Sequence, residues 1–149
     1  MPESFVQNSI PSFKVSIMLT IENKKRIIAR EDHLLLTDYL KKNKIVNGNK
    51  SDSILQVVEN AELIEDSDFP WEAVRLNSRV IIRDKIARLN YSYTVVMPEL
   101  ADHKQCRVSV FSEIGGALFG NSRGNDIYWN TPKGKRYFTI MAVSQYDFK

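Results

Sequence analysis

SEIGGALFG, residues 112–120, decides how the second half of this chain is read. The Ser112 hydroxyl is suited to cap a short helix. Ile114, Ala117 and Leu118 fall on one face of that helix, and Gly120 supplies the residue that ends it. The runs around it have a different period. RVIIRD (79–84), LNYSYTVVMP (89–98), RVSVF (107–111), DIYWN (126–130) and RYFTIMAVSQ (136–145) are rich in β-branched and aromatic residues and are separated by turn signals. Pro132, Lys133 and Gly134 turn a hairpin between the last two. The expected unit is a small antiparallel sheet wrapped on one helix, an α+β domain. Gly115 and Gly116 each cost about 1 kcal/mol against alanine inside a helix. Their presence calls for a close approach, either of the helix to the sheet or of a partner to the helix.

Upstream, the period is helical. In EDHLLLTDYLKK (31–42), Leu35, Leu36, Tyr39 and Leu40 form a stripe with Leu34 at its margin. Glu31 and Asp32 occupy the first turn, and Lys41 and Lys42 the last, as the helix dipole prefers. In SDSILQVVENAELI (51–64), Ser53 and Gln56 fit a capping box, and Ile54, Val57, Val58 and Ala61 form the apolar stripe. Either helix alone is marginal in water at this length, so the two are expected to pair as an antiparallel hairpin. Its tip is KKNKIVNGNK (41–50), where Asn47-Gly48 is turn chemistry. Lys41, Lys42, Lys44, Asn47 and Lys50 make that tip basic and polar. EDSDFPW (65–71) marks a boundary. The expected organisation is a tail or edge strand over 1–26, a helical hairpin over 27–66, a linker over 67–72 and the sheet domain over 73–149.

With 149 residues, 43% of them hydrophobic, the chain is expected to build a packed core. A net charge of +3 makes no case for a nucleic-acid binder from bulk charge alone. Charge is nonetheless unevenly placed. Residues 51–72 carry seven acids and no Lys or Arg, while 75–88 carry Arg75, Arg79, Arg83, Lys85 and Arg88 against Asp84 alone. Such blocks either face each other or are separate solvated faces. A single cysteine, Cys106, suits a reducing compartment. The N-terminus lacks the pattern of a signal peptide and no apolar run has the length of a membrane span. The expected location is cytoplasmic.

No catalytic residue, metal or cofactor is expected. His103 and Cys106 are spaced H-x-x-C, but the other histidine, His33, is in the other unit, and a metal needs more ligands. Cys106 has no neighbouring base signature, Ser112 lies in no G-x-S-x-G setting, and GGALFG lacks the lysine and hydroxyl of a phosphate loop. Arg79 and Arg83 alternate with Val80 and Ile82, the pattern of the wet face of a strand. Trp71 and Trp129 flank apolar runs and are expected in core or rim packing.

Three segments then carry a resemblance: LNSRV (76–80), VMPELAD (96–102) and VSVFSEIGGALFGNSRGNDIYWNTPKG (108–134). In this order they resemble the C-terminal domain of the GreA/GreB transcript-cleavage factors, and the short preceding hairpin is most like that of Rnk-like members. The resemblance covers about half of the chain. It implies an FKBP-like fold, docking on RNA polymerase at the rim of the secondary channel, and a hairpin directed along that channel. It further implies a partner surface formed by Pro98, Glu99 and Asp102 with Phe111, Ser112, Glu113 and Ile114. Two departures are visible. The family helix usually opens with Ser-Pro after an acid; here Phe111, Ser112 and Glu113 stand at those positions. Cleavage factors carry a pair of carboxylates at the hairpin tip; here the tip is basic. The implied function is a non-enzymatic, RNA polymerase-binding regulator that does not stimulate transcript cleavage, with no small-molecule substrate, no membrane and no sequence-specific nucleic-acid binding. The alternatives are a peptidyl-prolyl isomerase, with Phe111, Phe119, Tyr128 and Trp129 as the pocket aromatics, and a module whose basic tip meets another acidic protein.

Overall fold

The computed structural model describes residues 25–43 and 52–145. The tail or edge strand expected before residue 25, and Lys44, Asn47 and Lys50 of the expected tip, lie outside the described residues, as does the Ser53 side chain of the expected capping box.

Two three-residue strands, β1 (Ile27–Ala29) and β2 (Glu62–Ile64), bracket two helices, α1 (Arg30–Lys42) and α2 (Asp52–Asn60). β1 and β2 pair in parallel, Ile28 opposite Leu63. Strands this short show no period in sequence, so the region reads as helical throughout. α2 buries the stripe expected of it, through Ile54, Val57 and Val58. α1 is phased differently from expectation. Leu36 is fully buried, but Leu34 and Leu35 are 61% and 49% exposed, and the other buried residue of the helix is Asp32. The reason is electrostatic and is given below: a carboxylate four residues before Leu36 is drawn inward, so the inner face runs Asp32, Leu36, Tyr39.

The second half forms a five-stranded sheet. Its strands are β3 (Ser78–Asp84), β4 (Asn90–Val96), β5 (Arg107–Ser109), β6 (Asp126–Thr131) and β7 (Gly134–Gln145), in the spatial order β5-β4-β3-β7-β6. The expected antiparallel sheet holds for β3-β4, β3-β7 and β6-β7 but not at one edge, where β5 runs parallel to β4. The chain between them, 97–106, reverses twice through the short 3-10 turns Pro98–Leu100 and His103–Gln105, which makes the parallel return geometrically accessible. Strand β3 alternates strictly: Ser78, Val80, Ile82 and Asp84 point inward, while Arg79 and Ile81 are exposed.

Helix α3 (Glu113–Leu118) lies against the inner side of the sheet. The Ser112 hydroxyl caps it as expected, accepting from the Gly115 N–H at 3.0 Å. A Cβ at Gly115 would stand 2.0 Å from the Ser109 carbonyl oxygen, so the glycine there serves close approach to the chain leaving β5. Val80, Ile82, Val95, Leu118, Phe119, Ile127, Phe138 and Ile140 fill the space between, and Leu36, Ile54, Val57 and Val58 of the two upstream helices join the same core. Trp129 is buried and stacked on Phe138, as expected for packing. Trp71 is not: it is 67% exposed, because the acidic turn before it ends in Pro70 and carries the chain over the surface. Among the described residues no helix is long and apolar enough to cross a membrane.

Candidate functional site

The expected partner residues are only partly brought together. Asp102, Ser112, Glu113 and Ile114 line one open cleft, together with Tyr93 and His103. Asp102 is held by its own turn, its carboxylate accepting from the Lys104 N–H at 3.0 Å and from the Gln105 amide at 2.9 Å. Ser112 donates its hydroxyl proton to the Ser109 carbonyl at 2.6 Å while accepting from Gly115, which fixes the helix start at the wall of the cleft. Glu113 is exposed and Ile114 half-buried against the core. Burial pushes the Tyr93 phenol above its ordinary pKa. Pro98 and Glu99 stand apart on the preceding 3-10 turn and do not line the cleft. Phe111 turns the other way. Its ring stacks on Tyr39 of α1, with centroids 5.0 Å apart and planes at 26°.

Sequence reasoning places Tyr39 only in an apolar stripe and misses its contact with Phe111. Asp32 is a similar case. It sits in the first turn of α1, where the dipole account is sufficient, yet its carboxylate accepts from the Arg75 guanidinium at 3.0 Å and from the Leu76 N–H at 2.9 Å. Burial raises its pKa, and the two donors oppose that rise. Arg75 also reaches Asp66 at 3.1 Å, and Arg30 pairs with Glu65 at 2.7 Å. The acid and base blocks therefore meet, and among the described residues they do so through the Arg75 side chain. Arg79 and Arg83 turn to Ser92 and Asn90, and Lys85 to Asp126.

Arg26 fixes the other end of α3. Its guanidinium donates to the Gly116 carbonyl at 2.5 Å and the Phe119 carbonyl at 3.2 Å, where helix carbonyls lack partners. Burial pulls its pKa down to about 10. The Ile27 N–H donates to the Gly120 carbonyl at 3.2 Å, so β1 is tied to the same corner. The only signal for this in the sequence is a single arginine next to an Ile-Ile pair.

Of the tip residues, Lys41 and Lys42 are exposed, and Lys42 pairs with Asp38 at 3.1 Å, an i,i+4 contact on α1. The four aromatics of the isomerase alternative do not form a pocket. Phe119 and Trp129 are buried in the core, Phe111 is stacked on Tyr39, and Tyr128 lies beside Tyr137 and under Lys135. Among the described residues no group of three or more His, Cys, Asp or Glu is arranged to hold a metal ion.

An α3 capped by serine, packed over a five-stranded mixed sheet and preceded by two helices, defines a class of domain that comparison with known proteins makes specific. Residues 70–145 match the family model described as transcription elongation factor, GreA/GreB, C-term, and the chain belongs to that family. Transcription elongation factor GreA of Orientia tsutsugamushi (strain Ikeda) is 31% identical over 108 residues, which cover 72% of this chain and 68% of that protein. The protein of the same name from Sinorhizobium medicae (strain WSM419) is 30% identical over 97 residues, 65% of this chain and 61% of that one. In fold, the chain is similar to the solved structure of a prokaryotic transcription elongation factor GreA/GreB from Nitrosomonas europaea. The TM-score is 0.69 at 24% identity, over 82% of this chain and 99% of that one.

Proposed function

We propose that this protein is a transcription factor that binds RNA polymerase near the secondary channel and modulates transcription without stimulating transcript cleavage. The reading rests on family membership, and the observation that carries it to particular residues is the shared cleft of Asp102, Ser112, Glu113 and Ile114. In this reading the sheet domain, FKBP-like in type, docks through that cleft. α1 and α2 form an antiparallel hairpin that extends into the channel, and the site of action is cytoplasmic.

The absence of cleavage stimulation follows from charge and reach. Holding a divalent cation and orienting water at a phosphodiester needs carboxylate oxygens. Residues 41–50 contain no Asp or Glu, and lysine ammonium groups repel the cation. Helix α1 has 13 residues, which gives it a length of only about 20 Å. A basic arm of this size suits occupancy of a channel lined with acidic groups. The test uses purified bacterial RNA polymerase in a halted, backtracked complex with labelled RNA. The expected result is stable binding of the protein with release of 3′ fragments at the polymerase's own rate. Faster release would overturn the cleavage argument, and failure to bind would overturn the docking argument.

A further inference from the structure

A second cleft lies across the Cys106-Arg107 segment from the first, on the outer side of the sheet. It is lined by Arg79, Ser92, Thr94, Lys104, Gln105, Cys106 and Arg107, with no carboxylate among them. The strand register explains the clustering. Arg79 of β3 lies opposite Thr94 of β4, and Thr94 lies opposite Arg107 of β5, so two arginines flank a threonine in one row across three strands. Arg83 is four residues along β3 from Arg79 and therefore on the same face. The side-chain partners of Arg79 and Arg83 are neutral, Ser92 at 3.0 Å and Asn90 at 3.3 Å. Asp102, the nearby acid, has its carboxylate turned to the Lys104 N–H and the Gln105 amide. Lys85, farther along, is already matched by Asp126.

We propose that this face, through Arg79, Arg83, Lys104 and Arg107, binds the phosphodiester backbone of nucleic acid without reading its sequence. Charge complementarity selects the occupant. Guanidinium forks on a pleated surface match phosphate oxygens, and serine, threonine and glutamine beside them supply neutral hydrogen bonds of the kind that accompany backbone contacts. No sequence readout is expected, since contacts to phosphate oxygens carry no sequence information. The inference goes beyond the docking reading and does not depend on it. The two clefts share Cys106 and Arg107 in their walls, so nucleic acid on one side and a protein partner on the other would be immediate neighbours.

The experiment measures fluorescence anisotropy of a labelled mixed-sequence 20-nucleotide RNA, and of a DNA duplex of the same length, with the full chain and no polymerase. Four contacts to a single strand predict a slope of log affinity against log salt of roughly −2.8, about a 50-fold loss between 50 and 200 mM salt. Two variants are compared. R79Q/R83Q/K104Q/R107Q should weaken binding at least tenfold at the lower salt with an unchanged circular dichroism spectrum. K41Q/K42Q should leave binding nearly unaltered. Equal binding to two unrelated RNA sequences is expected. No measurable binding by the unmodified chain at 50 mM salt would overturn the proposal. So would loss of binding in the hairpin variant but not in the sheet variant. If the quadruple variant does not fold, the pairs R79Q/R83Q and K104Q/R107Q are each expected to lower the salt slope by roughly 1.4, and an unchanged slope in both would overturn it equally.

Discussion

Asp32 and Arg75 are 43 residues apart in sequence and 3.0 Å apart in space, the carboxylate buried and the guanidinium partly covered. Because the same carboxylate also takes the Leu76 N–H, it ends the first turn of α1 and begins the sheet domain at once. Removing Asp32 takes a buried carboxylate from Arg75 and leaves the Leu76 N–H without its acceptor, while Arg75 keeps Asp66. Asp32→Ala is therefore expected to lower stability by about 3 kcal/mol in urea unfolding. Asp32→Asn keeps an acceptor for Leu76 and leaves Arg75 with Asp66, so its loss should be smaller, about 1 kcal/mol. An equal loss for both would mean that the charge, rather than the hydrogen bonds, holds the joint.

Acid stability should depend on Asp84. Burial raises its pKa, but the Arg136 guanidinium at 2.8 Å and the N–H groups of Ile86 and Ala87, each also at 2.8 Å, outweigh that and hold it below the usual carboxylate range. A carboxylate depressed in the folded state adds stability above its unfolded value, about 3.9, and that stability is lost as pH falls through the folded value. Asp84→Asn should be less stable than the parent chain at pH 7, and the gap should close below about pH 4. Asp32 works in the opposite sense, since its raised pKa makes ionisation a cost as pH rises. Urea titrations at several pH values separate the two; a pH-independent gap for Asp84→Asn would rule out the linkage.

Two glycines give a contrast that needs no assumption about function. Gly115→Ala drives a methyl group into the Ser109 backbone and is expected to cost at least about 3 kcal/mol. Gly124 has φ of +88° and open space around it, so Gly124→Ala should cost only about 1 kcal/mol, from backbone strain alone. Thermal unfolding of the two variants in parallel checks the order.

For the cleft, Glu113 is the residue to change. Ser112 caps α3, so Ser112→Ala is expected to cost about 1 kcal/mol of stability and to confuse binding with folding. Glu113 is exposed and no hydrogen bond or ion pair of the described residues uses its carboxylate. Glu113→Lys should leave the unfolding curve within about 0.5 kcal/mol of the parent and weaken binding to purified RNA polymerase about tenfold. Unchanged affinity would move the interface away from α3.

What the sequence made legible was what local chemistry determines. The Ser112 cap, the glycine contact and the alternation of β3 all depend on neighbours a few residues away. What it concealed depends on partners far along the chain. Asp32 satisfies a helix dipole and a partly covered arginine equally well, and only the second draws it to the inner face and leaves Leu34 and Leu35 outside. The direction of β5 is set by hydrogen bonding to β4, which a three-residue run cannot announce. Of the expected partner surface, Asp102 and the start of α3 converge because one turn and one cap face each other. Phe111 leaves that surface because Tyr39, on a different helix, offers it a ring.

The stack of Tyr39 on Phe111 also bears on mechanics. Asp32 fastens α1 at its root, and Tyr39 fastens it again seven residues on, about 10 Å farther along the axis. One fastening makes a pivot; two make a bracket, and a bracketed rod has a bearing as well as an anchor. The axis of α1 is thus referred to Phe111, whose next neighbour is the cap of α3.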